Sequence, residues 1–146
     1  MTQWNEANDD RLIHELYQTM RAFSKTLNQE IAATGIYSSE WTVLNLIQHR
    51  NVCAQSGLIE YLDVEPAAIS KTLSKMEQKG VILRENQSGR RGKFIRLTEE
   101  GKKLFAKLSE TVSAHRKQAL TGMSTEERET LQKLMTTIRK NLQTTE

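Results

Sequence analysis

The sequence predicts a mainly helical (α+β) fold with one small β-hairpin, in the element order ααααββαα. The 146 residues include one proline and seven glycines, too few for the many turns of an all-β fold. Apolar residues recur at steps of three and four over most of the chain, the spacing of amphipathic helices. Only residues 81–85 and 93–97 have a β-type composition, and a polar loop bracketed by glycine separates them. The length predicts one domain.

The first two helices are predicted from apolar spacing and from residues that start or end helices. A one-sided apolar stripe predicts the first helix over about residues 9–34, and Gly35 ends it. Ser38 or Ser39 is the expected N-cap of the second helix, which runs to about residue 50. Because its apolar residues lie on most sides, we expect the second helix to be buried.

Two short helices joined by a tight turn follow. The third is expected over Gln55–Leu62. The fourth begins at Pro66, whose fixed φ suits the first helical position, and Gly80 ends it. Such a pair is a helix-turn-helix, and in that motif the second helix enters the major groove of DNA.

Two longer helices are predicted after the hairpin. One begins at about Thr98, has two acidic residues in its first turn and runs to about residue 121. Ser124 and Glu127 form a predicted capping box at the start of the last helix. Both helices carry an apolar stripe.

Positive charge is concentrated in one part of the chain. The total is +3, but residues 1–64 carry −4, residues 65–96 carry +5 and residues 97–146 carry +2. This basic island coincides with the fourth helix and the hairpin, and a local basic patch attracts phosphates. We therefore predict binding to double-stranded DNA.

The candidate DNA-binding residues are small, polar or basic side chains on the helix-turn-helix and the hairpin. They are Gln55, Ala67, Ala68, Ser70, Lys71, Ser74, Lys75, Arg84, Arg90, Arg91 and Lys93. On the fourth helix such residues suit base edges and phosphates in the major groove. The basic hairpin tip is placed to reach an adjacent minor groove or its phosphates.

The segment Gly89–Gly101 reads GRRGKFIRLTEEG, with paired arginines, a strand and then Leu-Thr-x-x-Gly. It resembles the wing of the MarR family of winged-helix transcription regulators, and residues 62–82 resemble that family's recognition-helix region. The resemblance covers the whole chain, 1–146, as a single domain. It implies a winged helix-turn-helix lobe over 36–100 and a helical dimerisation region over 1–35 and 101–146. It also implies a regulator that reads a palindromic operator as a homodimer, typically as a repressor. A cytoplasmic location is expected from the lack of a membrane-spanning run and of a signal-peptide pattern, and the single cysteine agrees with it.

The dimer interface is predicted from the apolar stripes of the terminal helices, which a lobe of this size cannot cover alone. Its candidate residues are Leu12, Leu16, Leu131, Leu134, Ile138 and Leu142.

A ligand pocket is predicted from large apolar side chains on the first two helices and from the family's usual response to small molecules. Its candidate residues are Tyr17, Met20, Phe23, Tyr37 and Trp41. The expected effector is a small aromatic or amphipathic compound, and binding it should release the DNA.

The sequence departs from the family pattern in the wing and in the helix-turn-helix. Asn86 and Gly89 stand where acidic residues usually brace the wing arginines, and Asp63 stands where the turn usually has glycine. The third and fourth helices begin at Ala54 and Glu65, where Ser or Thr caps are common.

Other classes of protein remain as alternatives. A zinc hydrolase is disfavoured because Gln18 occupies the second histidine position of the motif that starts at His14, and no cofactor or metal is expected. A helical adaptor without DNA binding would leave the basic hairpin without a role. A redox-sensing regulator would use Cys53, the single cysteine, which is more simply a buried inert thiol. No apolar run is long enough to span a membrane.

Overall fold

The computed structural model describes residues 3–51, 53–86 and 92–143. The chain divides into two compact units, Met1–Val112 and Ser113–Glu146. The order ααααββαα predicted from the sequence is confirmed, with one added 3-10 turn after the first helix. The elements are α1 (Glu6–Ile31), the 3-10 turn (Ala32–Thr34), α2 (Ser38–Arg50), α3 (Gln55–Leu62), α4 (Pro66–Gln78), β1 (Ile82–Asn86), β2 (Lys93–Leu97), α5 (Glu99–Ala119) and α6 (Thr125–Gln143).

The connection from α1 to α2 differs from the prediction in its cap. Gly35 ends the 3-10 turn with a φ of 77°, a conformation that glycine adopts at no steric cost. The N-cap of α2 is Tyr37, so the prediction of Ser38 or Ser39 is wrong. The backbone of Tyr37 is extended, and its N–H donates to Glu40 Oε1 at 2.9 Å. The Ser38 N–H is taken by Asn28 Oδ1 of α1 at 2.7 Å, which fixes the start of α2 against α1.

The turn between α3 and α4 is built on Asp63. Its φ of 51° lies in the left-handed region, which Asp tolerates better than most residues, so the family's glycine is not required here. Its N–H donates to the carbonyl of Ile59 and closes α3. Ala54 and Glu65 are the N-caps of α3 and α4, and neither makes a side-chain capping hydrogen bond, as expected from their residue types.

The two strands form an antiparallel hairpin whose register runs from Ile82 opposite Leu97 to Asn86 opposite Lys93. The bounds predicted for β2 are confirmed, whereas β1 lies one residue later than predicted. The backbone before α3 lies beside the hairpin, because Ala54 pairs with Phe94 and the Cys53 carbonyl accepts from the Ile95 N–H at 2.7 Å.

In the first unit, the helices α1, α2, α3, α4 and α5 and the hairpin pack around a core of buried aliphatic side chains. Leu44, Leu58, Leu73 and Ile82 are fully buried in it, one each from α2, α3, α4 and β1. The prediction that α2 is buried is confirmed, since six of its residues are inaccessible.

The Leu-Thr-x-x-Gly motif fixes the start of α5 against Gly80 and Val81, which lie between α4 and β1. Thr98 Oγ1 donates to the Gly80 carbonyl at 2.6 Å and accepts from the Gly101 N–H at 3.0 Å. The Thr98 N–H donates to the Val81 carbonyl at 3.1 Å. A Cβ on Gly101 would overlap that same carbonyl oxygen, so glycine is required for this close approach.

The second unit contains the end of α5, a turn at Gly122 and α6. The predicted capping box is confirmed: the Glu127 N–H donates to Ser124 Oγ at 3.1 Å, and the Ser124 N–H donates to Glu127 Oε1 at 2.9 Å. Arg128 donates to the carbonyls of Leu120 and Met123, which ties α6 to the turn. Among the described residues, no helix is both long and apolar enough to cross a membrane.

Candidate nucleic-acid interface

The outward face of α4 carries the centre of the predicted DNA-binding set. Ile69, Leu73 and Met76 are buried, which fixes the rotation of the helix on the lobe. The opposite face is exposed and consists of Ala67, Ala68, Lys71, Lys75 and Gln78. Gln78 was not among the residues predicted from the sequence, although its place in the helical repeat, seven residues after Lys71, puts it on this face.

Two hydroxyl groups of α4, those of Thr72 and Ser74, donate to the backbone of the same helix. Ser70 and Ser74 are half-buried. Ser74 Oγ donates to the Ser70 carbonyl at 2.9 Å and accepts from Arg84 Nη2 at 2.9 Å. Thr72 Oγ1 donates to the Ala68 carbonyl at 3.0 Å. Ser74 is therefore held within the lobe, and its role in binding a base stays a prediction.

Arg84 lies inside the lobe and not on its outer basic surface. Its side chain is 10% exposed, and Nε donates to Glu77 Oε1 at 2.5 Å while Nη2 holds Ser74. Because Nε and Nη2 both donate to side chains of α4, Arg84 joins β1 to that helix. In this conformation Arg84 therefore adds less positive charge to the surface predicted to face DNA than its sequence position suggests.

Lys79, at the C-terminal end of α4, is also tied into the protein. Its Nζ donates to both carboxylate oxygens of Glu40, at 2.6 and 2.9 Å, and to the Gly35 carbonyl at 2.8 Å. The Tyr37 ring lies 4.9 Å from the same ammonium group. Glu40 is 2% exposed, so this pair connects the start of α2 to the end of the recognition helix through a buried carboxylate.

Few of the described lysine and arginine side chains on the outer side of the lobe are both exposed and without an ion pair. Lys71, Lys75 and Lys93 are exposed and form no ion pair with another described residue. Arg96 is exposed but pairs with Glu85 across the hairpin at 2.9 Å. Arg90 and Arg91, the predicted DNA-binding residues at the wing tip, lie outside the described residues, as does Gly89.

Gln55, the first residue of α3, is half-buried beside the hairpin. Its Oε1 is inaccessible and has no hydrogen-bond partner among the described residues. The DNA-binding role of Gln55 stays a prediction.

The five candidate pocket residues differ in exposure. Tyr17, Met20 and Tyr37 are open to solvent, and Phe23 is half-buried. Trp41 is buried, and its ring stacks on Phe105 of α5 at 5.1 Å between centroids. Trp41 therefore belongs to the core. The exposure of the other four residues does not test whether they line a pocket, so the pocket stays a prediction.

The candidate dimer residues present apolar surface. Leu12 on α1 and Leu131, Leu134 and Leu142 on α6 are exposed, the last at 70%. The remaining two, Leu16 and Ile138, are half-buried. Exposed leucines in rows are unfavourable in water and are typical of a surface that a partner covers.

The helix-turn-helix and the hairpin are similar to a known class of DNA-binding domain. A family model described as a winged helix DNA-binding domain matches residues 37–101. YwoH, an HTH-type transcriptional regulator of Bacillus subtilis (strain 168), is 27% identical over 118 residues, which are 81% of this chain and 86% of that protein.

Solved structures with the same fold cover nearly all of the chain. AbsC, a MarR family transcriptional regulator from Streptomyces coelicolor, is similar with a TM-score of 0.85 and 20% identity, over 97% of this chain and 99% of that one. A mutant of MarR from E. coli in complex with operator DNA has a TM-score of 0.81 and 19% identity, over 92% of this chain and 99% of that one.

A third similar structure is the organohalide-sensing regulator RdhR-CbdbA1625. Its ligand-free form has a TM-score of 0.83 and 19% identity, over 97% of this chain and 87% of that one. The same regulator is also known bound to 2,4-dichlorophenol.

Proposed function

We propose that the chain, whose fold and winged-helix lobe are similar to those of MarR-like transcription regulators, binds double-stranded DNA sequence-specifically, as a homodimer on a palindromic operator. The observation that carries the proposal is the outward face of α4, where Ala67, Ala68, Lys71 and Lys75 are exposed side by side. A helix of this kind fits the major groove, which is about 12 Å wide.

The lobe supports this role by holding α4 rigidly. Three buried residues pack its inner face, Arg84 ties its middle to β1, and Lys79 ties its end to Glu40. A recognition helix whose backbone is held at three points loses little backbone conformational entropy on binding. Lys71 and Lys75, one turn apart, then supply charge for phosphates and base edges.

The homodimer is supported by the exposed leucines of α1 and α6. Two copies that bury these rows against each other would place two recognition helices on one duplex. Half-sites about 10 base pairs apart, one helical turn, would then be read from the same side of the DNA. The mutant MarR in complex with operator DNA gives the precedent for DNA binding by this fold.

The proposal includes repression that is relieved by a small aromatic or amphipathic effector. Tyr17, Met20 and Tyr37 expose aromatic and flexible apolar surface on α1 and at the start of α2. The 2,4-dichlorophenol-bound form of RdhR-CbdbA1625 gives a precedent for a phenolic ligand. An effector that prefers the DNA-free conformation weakens operator binding by the same factor as DNA weakens effector binding, typically about 5- to 150-fold.

DNA binding is tested by fluorescence anisotropy with the full chain. Lys71→Ala should weaken binding and reduce the slope of log K against log salt by roughly 1 for each phosphate that is no longer neutralised, doubled in a dimer. Arg91→Ala should also lower affinity, and by a more similar factor on different DNA sequences than Lys71→Ala does. Lys103→Ala, an equal charge change on α5, is the matched control. Binding that is absent at low salt, or equal in all four proteins, contradicts the proposal.

Effector binding is tested by titrating phenolic and amphipathic compounds against operator-bound protein. The reporter is Trp41 in a Trp4→Phe background, which removes the other tryptophan. Loss of DNA together with a change in Trp41 emission supports the effector. If no compound in a broad panel shifts operator affinity, the effector part of the proposal fails.

A further inference from the structure

The N-terminal end of the recognition helix is an apolar surface without hydrogen-bond donors on its side chains. Val64 in the preceding turn is 41% exposed. Pro66, Ala67 and Ala68 in the first turn of α4 are also exposed. We call these four residues the methyl patch. Long donors on the outward face begin only at Lys71, one turn further along.

Two of the nearby hydroxyl groups are engaged in internal hydrogen bonds in this conformation. Thr72 Oγ1 and Ser74 Oγ both donate to backbone carbonyls of α4. Ser74 also receives Arg84. Reading of a base by hydrogen bonds from these two groups would require those internal bonds to break, which costs free energy.

Acidic residues flank the methyl patch. Asp63 and Glu65 lie on either side of Val64, and the side chain of Glu65 is exposed. Carboxylates repel phosphates, so a position next to the DNA backbone is electrostatically unfavourable for this end of the helix. Lys71 and Lys75 lie on the same helix further from the patch and suit phosphates. The charges thus separate a base-facing end of α4 from a phosphate-facing part.

In the major groove, the exposed apolar group of the bases is the C5-methyl of thymine, which packs against apolar side chains such as alanine. Resting on the DNA binding proposed above, we infer that the methyl patch selects thymine in each operator half-site by contact with its C5-methyl group. Ala67 and Ala68 are the specificity-determining residues, because they lie on the outward face of the helix at the end that meets base edges.

The inference is tested with deoxyuridine, which differs from thymidine only by the missing C5-methyl. A duplex is first recovered from a random pool with the full chain, and each half-site thymine is then replaced singly by deoxyuridine. At one or more positions affinity should fall by about fourfold per buried methyl group, and by about fifteenfold when both half-sites are changed. Replacement outside the half-sites should have no effect.

Variants assign the effect to the two alanines. In Ala67→Gly or Ala68→Gly the ratio of thymine to deoxyuridine affinity at the sensitive position should fall towards one. Gln78→Ala, at the other end of the same face, should keep the wild-type ratio. Because each ratio compares two duplexes on one protein, a partial loss of folding in a glycine variant cancels.

The outcomes separate this inference from the DNA-binding proposal. If the operator is bound but no half-site thymine is sensitive, or the half-site contains none, thymine selection is wrong and the DNA-binding proposal stands. If both glycine variants keep the full ratio, the methyl patch is not the reader. If no duplex is enriched and random DNA does not bind at low salt, the DNA-binding proposal itself is wrong.

Discussion

Lys75 and Lys79 lie one turn apart on the recognition helix and carry the same charge in different surroundings. Lys75 is exposed and makes no ion pair with a described residue, whereas Lys79 neutralises the buried carboxylate of Glu40. The local sequence does not separate them, because Glu40 is 39 positions away. Lys75 lies on the surface proposed to bind DNA, whereas Lys79 holds the end of the helix against α2.

Lys79→Met should lower the free energy of unfolding by about 3 kcal/mol, because it leaves the Glu40 carboxylate buried without its cation. That is the low end for breaking a buried pair, since Lys79 is itself 31% exposed. Lys75→Met, the matched control, should change it by less than about 0.5 kcal/mol. Urea denaturation measures both, and equal effects would contradict the assignment of Lys79.

Hydrogen bonds from Ser124 hold the pKa of Glu127 below its ordinary value of 4.5, the backbone bond contributing more than the side-chain bond. The folded pKa is lowered, so this contribution is present above the unfolded pKa and is lost as pH falls through the folded pKa. Ser124→Ala removes the hydrogen bonds of the Ser124 hydroxyl and keeps the bond from the Ser124 N–H, so the pKa of Glu127 should rise partway towards 4.5. NMR titration of the Glu127 carboxyl measures it, and a pKa unchanged by the substitution would refute the side-chain hydrogen bond.

The junction of α5 with the hairpin depends on a glycine inside a helix. Elsewhere in a helix, Gly→Ala stabilises by roughly 0.5–1 kcal/mol. At Gly101 the added methyl group would meet the Val81 carbonyl, so we expect Gly101→Ala to destabilise by about 1–3 kcal/mol. Thermal unfolding measures the change. Lys107→Ala on the same helix is the control, and a rise in Tm for Gly101→Ala would rule out the close approach.

Elements were predictable from the sequence where the signal is local. Apolar stripes, Pro66 and the Ser124–Glu127 box act within one or two turns, and the helices they mark were predicted to within a few residues. The N-cap of α2 was mispredicted because the Ser38 N–H is satisfied by Asn28, ten residues away. Contacts of this range follow from packing, and no spacing rule encodes them.

The candidate site was predictable to the same extent. Helical periodicity placed Ala67, Ala68, Lys71 and Lys75 on the outward face of α4. It did not reveal that Arg84 would be drawn inward by Glu77, since that pair depends on the turn that folds β1 back along α4. From the sequence, Trp41 is a candidate for a pocket although the core is the simpler interpretation of a single residue, and the stack on Phe105, 64 positions later, supports the core.

At the scale of the whole molecule, the proposed function requires two copies of the chain. In the proposal, one recognition helix reads one half-site, and the leucines that are exposed on α1 and those exposed on α6 are covered by the second chain. Sedimentation equilibrium should therefore give about twice 16.7 kDa at micromolar concentration. Leu134→Glu, which places a charge in the proposed interface, should shift the mass towards the monomer and weaken operator binding. Lys133→Glu, its exposed neighbour, is the control, and a dimer that survives Leu134→Glu argues against this interface.

Operator recognition by two chains is tested most directly by selecting duplexes from a random pool with the full chain and measuring the stoichiometry of the recovered complex. We expect a palindrome with half-site centres about 10 base pairs apart, bound by two chains. A pool without a shared sequence, or a single half-site bound by one chain, would contradict this mode of recognition.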